Sequence, residues 1–283
     1  MTPVLRLSAR PSAALAVLNA AVLLAALLVW SGCSASGRVS SDSPEEAYEK
    51  GLADFERGRC TRAIDHFRSV FDFGRTHEWA DDAQLYLARS YYCNREYLLA
   101  GNEYTRFIEF YRNDERVEEA EYGRIESYYQ LSPPYQLDQT ETKRAIAFIR
   151  AYLRRYPQSE NTQTAVTRLE ELSEKLARKQ YEAGELYMRR ELYEAAALAY
   201  LAVLDEYPSS PYADDALLGA LRAQTTYAQN SITGRQADRF QEAIDTYDRF
   251  VQIFPESPLV RRAEAIYVEA QDGHDAAMAR AGG

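Results

Sequence analysis

The chain has 283 residues and a formal net charge of −10, which argues against nucleic-acid binding, because that calls for a basic patch. Glycine and proline are sparse (13 and 10), while Ala, Leu, Glu, Arg and Tyr dominate. That composition describes a helical protein long enough for one extended or two compact domains.

Residues 1–32 read as a lipoprotein signal peptide. Arg6 and Arg10 form a positive start, Ala13 to Trp30 is apolar apart from Asn19, and Ser31-Gly32-Cys33 closes the run. Small residues before a cysteine mark a bacterial lipobox, in which Cys33 becomes the lipidated N-terminus. The residue three before that cysteine is usually Leu, and here it is Trp30. The alternative is an uncleaved anchor, since the 18 positions from Ala13 to Trp30 nearly span a bilayer. Both readings export residues 34–283 to the periplasm. Ser34 stands where an Asp would resemble the inner-membrane retention signal, which points to the outer membrane. Removing residues 1–32 leaves a charge of about −12, so the remaining domain is repelled by anionic headgroups and needs a separate anchor. Residues 33–43 form a flexible tether.

Ser43-Pro44-Glu45-Glu46 is a capping box with proline at the first helical position. It predicts a helix to about Arg57, a turn at Gly58-Arg59, and a second helix from about Thr61 to Phe73. Tyr48, Gly51, Gly58, Ala63 and Phe67 fill the aromatic, small and turn positions of a tetratricopeptide (TPR) hairpin. The second unit runs from Ala80 to about Arg112, with Leu87, Tyr91, Tyr97, Ala100 and Tyr104 in the same places. Ala63 and Ala100 are 37 residues apart. A third unit starts near Glu115, and its second helix carries Ala145, Ile149 and Tyr152. Its surplus length falls in residues 131–139, where Pro133-Pro134 rules out continuous helix. Thr162 to about Arg189 predicts one long helix feeding the fourth unit, marked by Gly184, Tyr187, Tyr193, Ala196 and Tyr200. Ser210-Pro211 reads as the N-cap and first residue of the helix that opens the fifth unit. That unit carries a second expanded loop, residues 230–239. A helix from Leu259 to about Met278 caps the array, and 279–283 is a frayed tail.

The repeats are visible as sequence. Ala80-Asp81-Asp82-Ala83 returns as Ala213-Asp214-Asp215-Ala216, and in that register Arg89 matches Arg222. Tyr156-Pro157-Gln158-Ser159, Tyr207-Pro208-Ser209-Ser210 and Phe254-Pro255-Glu256-Ser257 match one another. The predicted fold is an all-α, right-handed α-solenoid of about five TPR-like helix hairpins with a C-terminal capping helix. Residues 44–157 hold repeats one to three, and 158–278 hold repeats four and five with the cap.

In such an array the first helix of each hairpin lines the inner face. Tyr48, Leu85 and Tyr122 recur there 37 residues apart, as do Phe55, Tyr92 and Tyr129. With Arg89, they predict a groove with aromatic walls, rimmed by Glu45, Asp82 and Glu119. An extended peptide with aromatic side chains suits it. The competing reading is a buried aromatic core. In the second half, Tyr181, Glu185, Met188, Leu218, Arg222 and Thr225 take the equivalent positions and make a more mixed surface.

Catalytic chemistry is missing from the pattern. There is no Gly-rich phosphate loop, and His66, His77 and His274 are scattered, so neither a metal site nor a cofactor is expected. No enzyme activity is expected either; a muramidase-like solenoid is the weakest reading. Cys60 opens the second helix of repeat one and Cys93 closes the first helix of repeat two. Antiparallel packing makes those ends neighbours, which leaves either a disulfide or two free, partly buried thiols.

The lipobox cysteine, five hairpins, the YPQS, YPSS and FPES terminators, the enlarged third-repeat loop and the capping helix together resemble the BamD family, lipoproteins of the β-barrel assembly machinery (BAM). The resemblance spans about residues 33–270. It implies an outer-membrane, lipid-anchored protein facing the periplasm, with unfolded outer-membrane β-barrel proteins, the POTRA domains of BamA and other BAM subunits as partners. Clients would meet the Tyr48, Phe55, Leu85, Arg89, Tyr92, Tyr122 and Tyr129 groove through an aromatic-ended C-terminal signal. BamA would meet the fourth and fifth units, around Arg189, Arg190, Arg222 and loop 230–239. The alternative is a TPR scaffold lipoprotein of cell division, Tol-Pal coordination or pilus assembly.

Overall fold

The structure, a computed structural model, describes residues 41–281. The signal peptide and Cys33 lie outside the described residues. Among those residues there are eleven α-helices and no strand. The first hairpin is α1 (Pro44–Glu56) and α2 (Cys60–Val70), which ends in a 3-10 turn, Phe71–Phe73. The second is α3 (Ala80–Cys93) and α4 (Tyr97–Phe110), and the third α5 (Val117–Leu131) and α6 (Thr140–Arg155). The fourth is α7 (Thr162–Arg189) and α8 (Tyr193–Glu206), and the fifth α9 (Ala213–Gln229) and α10 (Thr233–Ile253). The last helix is α11 (Val260–Ala281), so residues 279–281 continue the helix instead of fraying.

Local chemistry sets the boundaries. Ser43 caps α1 by accepting the Glu46 N–H at 3.1 Å, with Pro44 in the first turn. Three hairpin turns use one device, a single residue in the left-handed region: Gly58 (φ +69°), Arg95 (φ +62°) and Glu191 (φ +60°). The next residue then donates to a carbonyl five back: Arg59 to Asp54, Glu96 to Tyr91 and Leu192 to Tyr187. The aromatic-Pro-x-Ser terminators close identical turns. Ser159, Ser210 and Ser257 donate backbone N–H to Tyr156, Tyr207 and Phe254 at 3.2, 3.0 and 3.1 Å. Their hydroxyls accept the N–H two residues on, from Asn161, Tyr212 and Leu259. Ser210 and Pro211 are therefore turn residues, and α9 begins two residues later, at Ala213. This corrects the expectation of an N-cap at Ser210.

Each helix packs on the next, and the first helices of neighbouring hairpins also touch: α1 with α3, α3 with α5, α7 with α9. The apolar core is accordingly divided into four clusters along the chain. That is the signature of a solenoid, in which each repeat rests on its neighbours. Aromatic rings fill the space where a glycine lets two helices approach. A Cβ on Gly51 would sit 2.7 Å from Phe67, and one on Gly123 would sit 2.4 Å from Tyr104.

Two loops were expected to be enlarged. Residues 132–139 are non-helical, as the proline pair requires, and the loop is anchored from within and from α7. Buried Gln139 donates to the Pro134 and Leu137 carbonyls at 2.8 and 3.1 Å and accepts from Thr142 at 2.8 Å. Lys175 reaches Ser132 Oγ at 2.7 Å, and Lys179 reaches the Tyr135 and Leu137 carbonyls. Gln139→Ala is expected to destabilise the protein by about 1–3 kcal/mol and to speed hydrogen exchange in the loop. Unchanged exchange would mean that the lysines hold it unaided. The second loop is a correction. Residues 230–239 are mostly the start of α10, which begins at Thr233. Gly234 falls in the first turn, where backbone N–H groups lack intrahelical partners anyway, and Phe240 buries the following turn.

Cys60 and Cys93 form a disulfide with Cα atoms 5.9 Å apart, tying the first hairpin to the second. Closing a loop of that length stabilises by restricting the unfolded chain. Dithiothreitol is expected to lower the stability of the N-terminal repeats by about 2–3 kcal/mol, read as a fall in urea midpoint. A midpoint indifferent to reductant, with two alkylatable thiols, would contradict the bond.

Candidate functional site

The first helices of hairpins one to three carry half-buried rings at successive positions. Tyr86, on α3, is their hub. Its ring stacks on Phe67 at 5.6 Å, meets Phe55 edge-on at 5.6 Å and Tyr48 at 6.0 Å. The Arg89 guanidinium lies 4.6 Å from the Tyr86 ring, and its Nε donates to Glu119 on α5 at 2.8 Å. One turn of α3 thus presents an aromatic face backed by a fixed cation.

Two of the expected wall residues are corrected. Leu85 is 0% exposed and Tyr48 only 9%, so both belong to the core of the first two hairpins. Burial pushes the Tyr48 phenol up to about 12. A 37-residue period aligned Leu85 with Tyr48 and Tyr122, but the α3 residue on the open side is its neighbour, Tyr86.

Phe55, Arg89, Tyr92, Tyr122 and Tyr129 are partly exposed. Tyr92 packs edge-on against Tyr97 at 5.3 Å, and Tyr122 lies 5.9 Å from Tyr152. Burial raises the Tyr122 phenol to about 12, which keeps it a neutral donor. Tyr129 is held on both sides. Arg168 of α7 sits 3.8 Å above its ring, and its hydroxyl donates to Glu171 at 2.6 Å. That bond is the main reason the Glu171 carboxyl is held below its ordinary range. Arg168 also pairs with Glu126 at 3.4 Å and Glu171 at 3.3 Å. Tyr86, Glu126, Arg168 and Glu171 were missed in the sequence reading. The long helix α7 breaks the 37-residue register, so no spacing pointed to Arg168.

The acidic rim is mostly neutralised in place. Asp82 accepts from Arg116, which also binds Asp81 at 2.9 Å and Asp114 at 2.7 Å. Glu119 is exposed but held by Arg89, and Glu45 is exposed as well. The groove can therefore take aromatic and apolar side chains against ring faces, with arginines and carboxylates fixed beside them.

The second half is built around Tyr200, fully buried on α8. Its hydroxyl donates to Glu185, and Arg222 of α9 reaches the same carboxylate at 3.5 Å. Tyr181 lies 5.6 Å from both Tyr200 and Tyr212. Of the equivalent-position residues, Leu218 and Thr225 are core, while Tyr181, Glu185, Met188 and Arg222 keep surface. Arg189 and Arg190 are exposed at the end of α7, one turn beyond Glu185. A cavity of about 380 Å3 lies between α8, α9 and α10, lined by Leu198, Tyr227, Arg235 and Arg239 among others.

Among the described residues no helix is long and apolar enough to cross a membrane, and no group of three or more potential ligands is placed to hold a metal ion. Residues 40–233 match the family described as YfiO, outer membrane lipoprotein. The chain is 27% identical over 220 residues to the outer membrane protein assembly factor BamD of Caulobacter vibrioides, across 76% of this chain and 72% of that one. Its structure is similar to a TPR repeats protein from Bacteroides fragilis, with 13% identity, a TM-score of 0.45, and coverage of 85% of this chain and 100% of that one. It is also similar to the P58(IPK) TPR domain, with 15% identity, a TM-score of 0.40, and coverage of 83% and 64%.

Proposed function

The chain belongs to the YfiO family of outer membrane lipoproteins, and from that membership we propose that it is a BamD-type assembly factor that receives unfolded β-barrel proteins at the outer membrane. The observation that carries the client role is the set of half-exposed rings on α1, α3 and α5, braced by Arg168 near the start of α7. An extended client segment lies across Phe55, Tyr86, Tyr92, Tyr122 and Tyr129, and its aromatic side chains pack on ring faces that Arg89 and Arg168 hold in position. Bringing a client to a fixed surface beside its insertion partner raises local concentration without any covalent step.

The fourth and fifth hairpins hold the POTRA domains of BamA, through the exposed face of Arg189, Arg190 and Arg222. Lipidated Cys33 keeps the scaffold at the periplasmic side of the outer membrane. Charge reversal at Arg189 and Arg190 is expected to lower recovery of BamA in a pull-down about tenfold or more, as for paired interface charges. Undiminished recovery would move that contact elsewhere. The test of the whole reading is depletion in the native host. Barrel proteins should then accumulate unfolded in the periplasm. If they reach the outer membrane normally, or if pull-downs return division or pilus proteins without BamA, the assembly role fails.

A further inference from the structure

The turn end of the first hairpin carries a charge pattern unlike the acidic balance of the chain. A cavity of about 380 Å3 at its turn end is lined by Lys50, Ala53, Asp54, Arg57, Arg59, Arg62 and His66. Four cations therefore face one carboxylate. Asp54 is buried and lies 3.4 Å from Arg59, 3.3 Å from Arg62 and 3.5 Å from His66 Nε2. It fixes both arginines at the cavity wall while their side chains stay 52% and 64% exposed. Each guanidinium has five donors in a planar fork, and one shared carboxylate leaves most of them directed outward. Arg57 is exposed and pairs with no carboxylate among the described residues. Lys50 is bound to Glu46 at 2.7 Å, outside the lining. Burial holds His66 below its ordinary range, so the positive charge resides on the lysine and arginines.

We infer that this pocket binds the phosphate of an anionic phospholipid headgroup. Oxyanions with several acceptor oxygens match forked guanidinium donors, and bidentate pairs of that kind are among the stronger hydrogen bonds. Chain length favours a lipid over a free anion. Ser43 lies ten residue steps after Cys33, which can span at most about 35 Å. The 13 residues of α1 add only about 20 Å between its capped start and the pocket. A pocket anchored this close to acyl chains lies within reach of the leaflet surface. A domain of strongly negative net charge is repelled by anionic lipid, and the cation-lined cavity at the turn end of the first hairpin offers a locally positive site near the anchor. The inference rests on the membrane-anchored part of the proposed function and is independent of client binding.

The test uses the full chain purified from membranes in neutral detergent. Micelles are doped with phosphatidylglycerol or phosphatidylcholine, inorganic phosphate is titrated in parallel, and binding is read by calorimetry. Phosphatidylglycerol is expected to bind saturably and about tenfold more tightly than either alternative. Arg57→Gln, which removes no ion pair, is expected to weaken it about threefold with an unchanged melting temperature. Arg57→Glu with Arg62→Glu is expected to weaken it about tenfold or more. Equal affinity for phosphatidylcholine, inorganic phosphate binding as tightly as the lipid, or full binding by the double variant each overturns the inference.

Discussion

Tyr200→Ala is expected to destabilise the C-terminal repeats by about 3–5 kcal/mol, the range for removing a large ring from a packed core. The ring is 0% exposed and lies between two helices that approach only because each has a glycine opposite it. A Cβ on Gly184 would be 2.6 Å from the ring, and one on Gly219 would be 2.9 Å from it. Truncation therefore opens a cavity that α7, α8 and α9 share. It also takes the hydroxyl away from Glu185. Gly184→Ala and Gly219→Ala are expected to cost about 1–3 kcal/mol each by overpacking. The double variant Gly184→Ala/Tyr200→Ala separates this account from a general helix defect. With the ring gone, the new methyl has room, so the pair should cost clearly less than the two single effects added. Urea titration by circular dichroism reads both, and a second transition would mark the C-terminal repeats unfolding apart from the rest. Strict additivity would contradict the ring-in-glycine packing.

Much of this array is legible in the sequence because one repeat chemistry recurs. Gly51, Gly123 and Gly184 are small for one reason, the aromatic ring pressed against each. The helix bounded by Thr162 and Arg189 follows from the lack of proline over that span, and the structure has it there. What was not legible depends on rotation about a helix axis. Leu85 and Tyr86 are adjacent and both apolar, and a period of 37 residues cannot say which of two neighbours faces outward. Packing against Tyr48, Phe55 and Phe67 decides it for Tyr86. The acidic rim was misjudged for a related reason. Asp82 and Glu119 read as solvated charges along their own helices, yet their partners Arg116 and Arg89 stand some thirty residues away in sequence. At residues 230–239, Gly and Ser suggested a loop, but burial of Phe240 and Ala243 rewards an earlier helix start.

The groove is expected to lose its client when its open rings are removed without touching the core. Phe55→Ser, Tyr92→Ser and Tyr129→Ser together should weaken binding of a peptide ending in an aromatic residue about 100-fold, since aromatic anchors at a binding surface each contribute on the order of 1 kcal/mol or more. The choice follows from burial. These three are partly exposed, whereas Tyr48 and Leu85 support the fold, and replacing Tyr86 would disturb Tyr48, Phe55 and Phe67 at once. Losing Tyr129 also leaves Arg168 without its ring and Glu171 without a donor, but both carboxylates of the Arg168 cluster remain to hold it. The scaffold should therefore keep its helicity. Leu198→Ser is the matched control: it removes a side chain 65% exposed on α8, in the other half of the array. The triple variant should fail in peptide binding by fluorescence anisotropy while the control binds normally. Equal affinity in both would place client recognition away from the inner rings and leave them as packing alone.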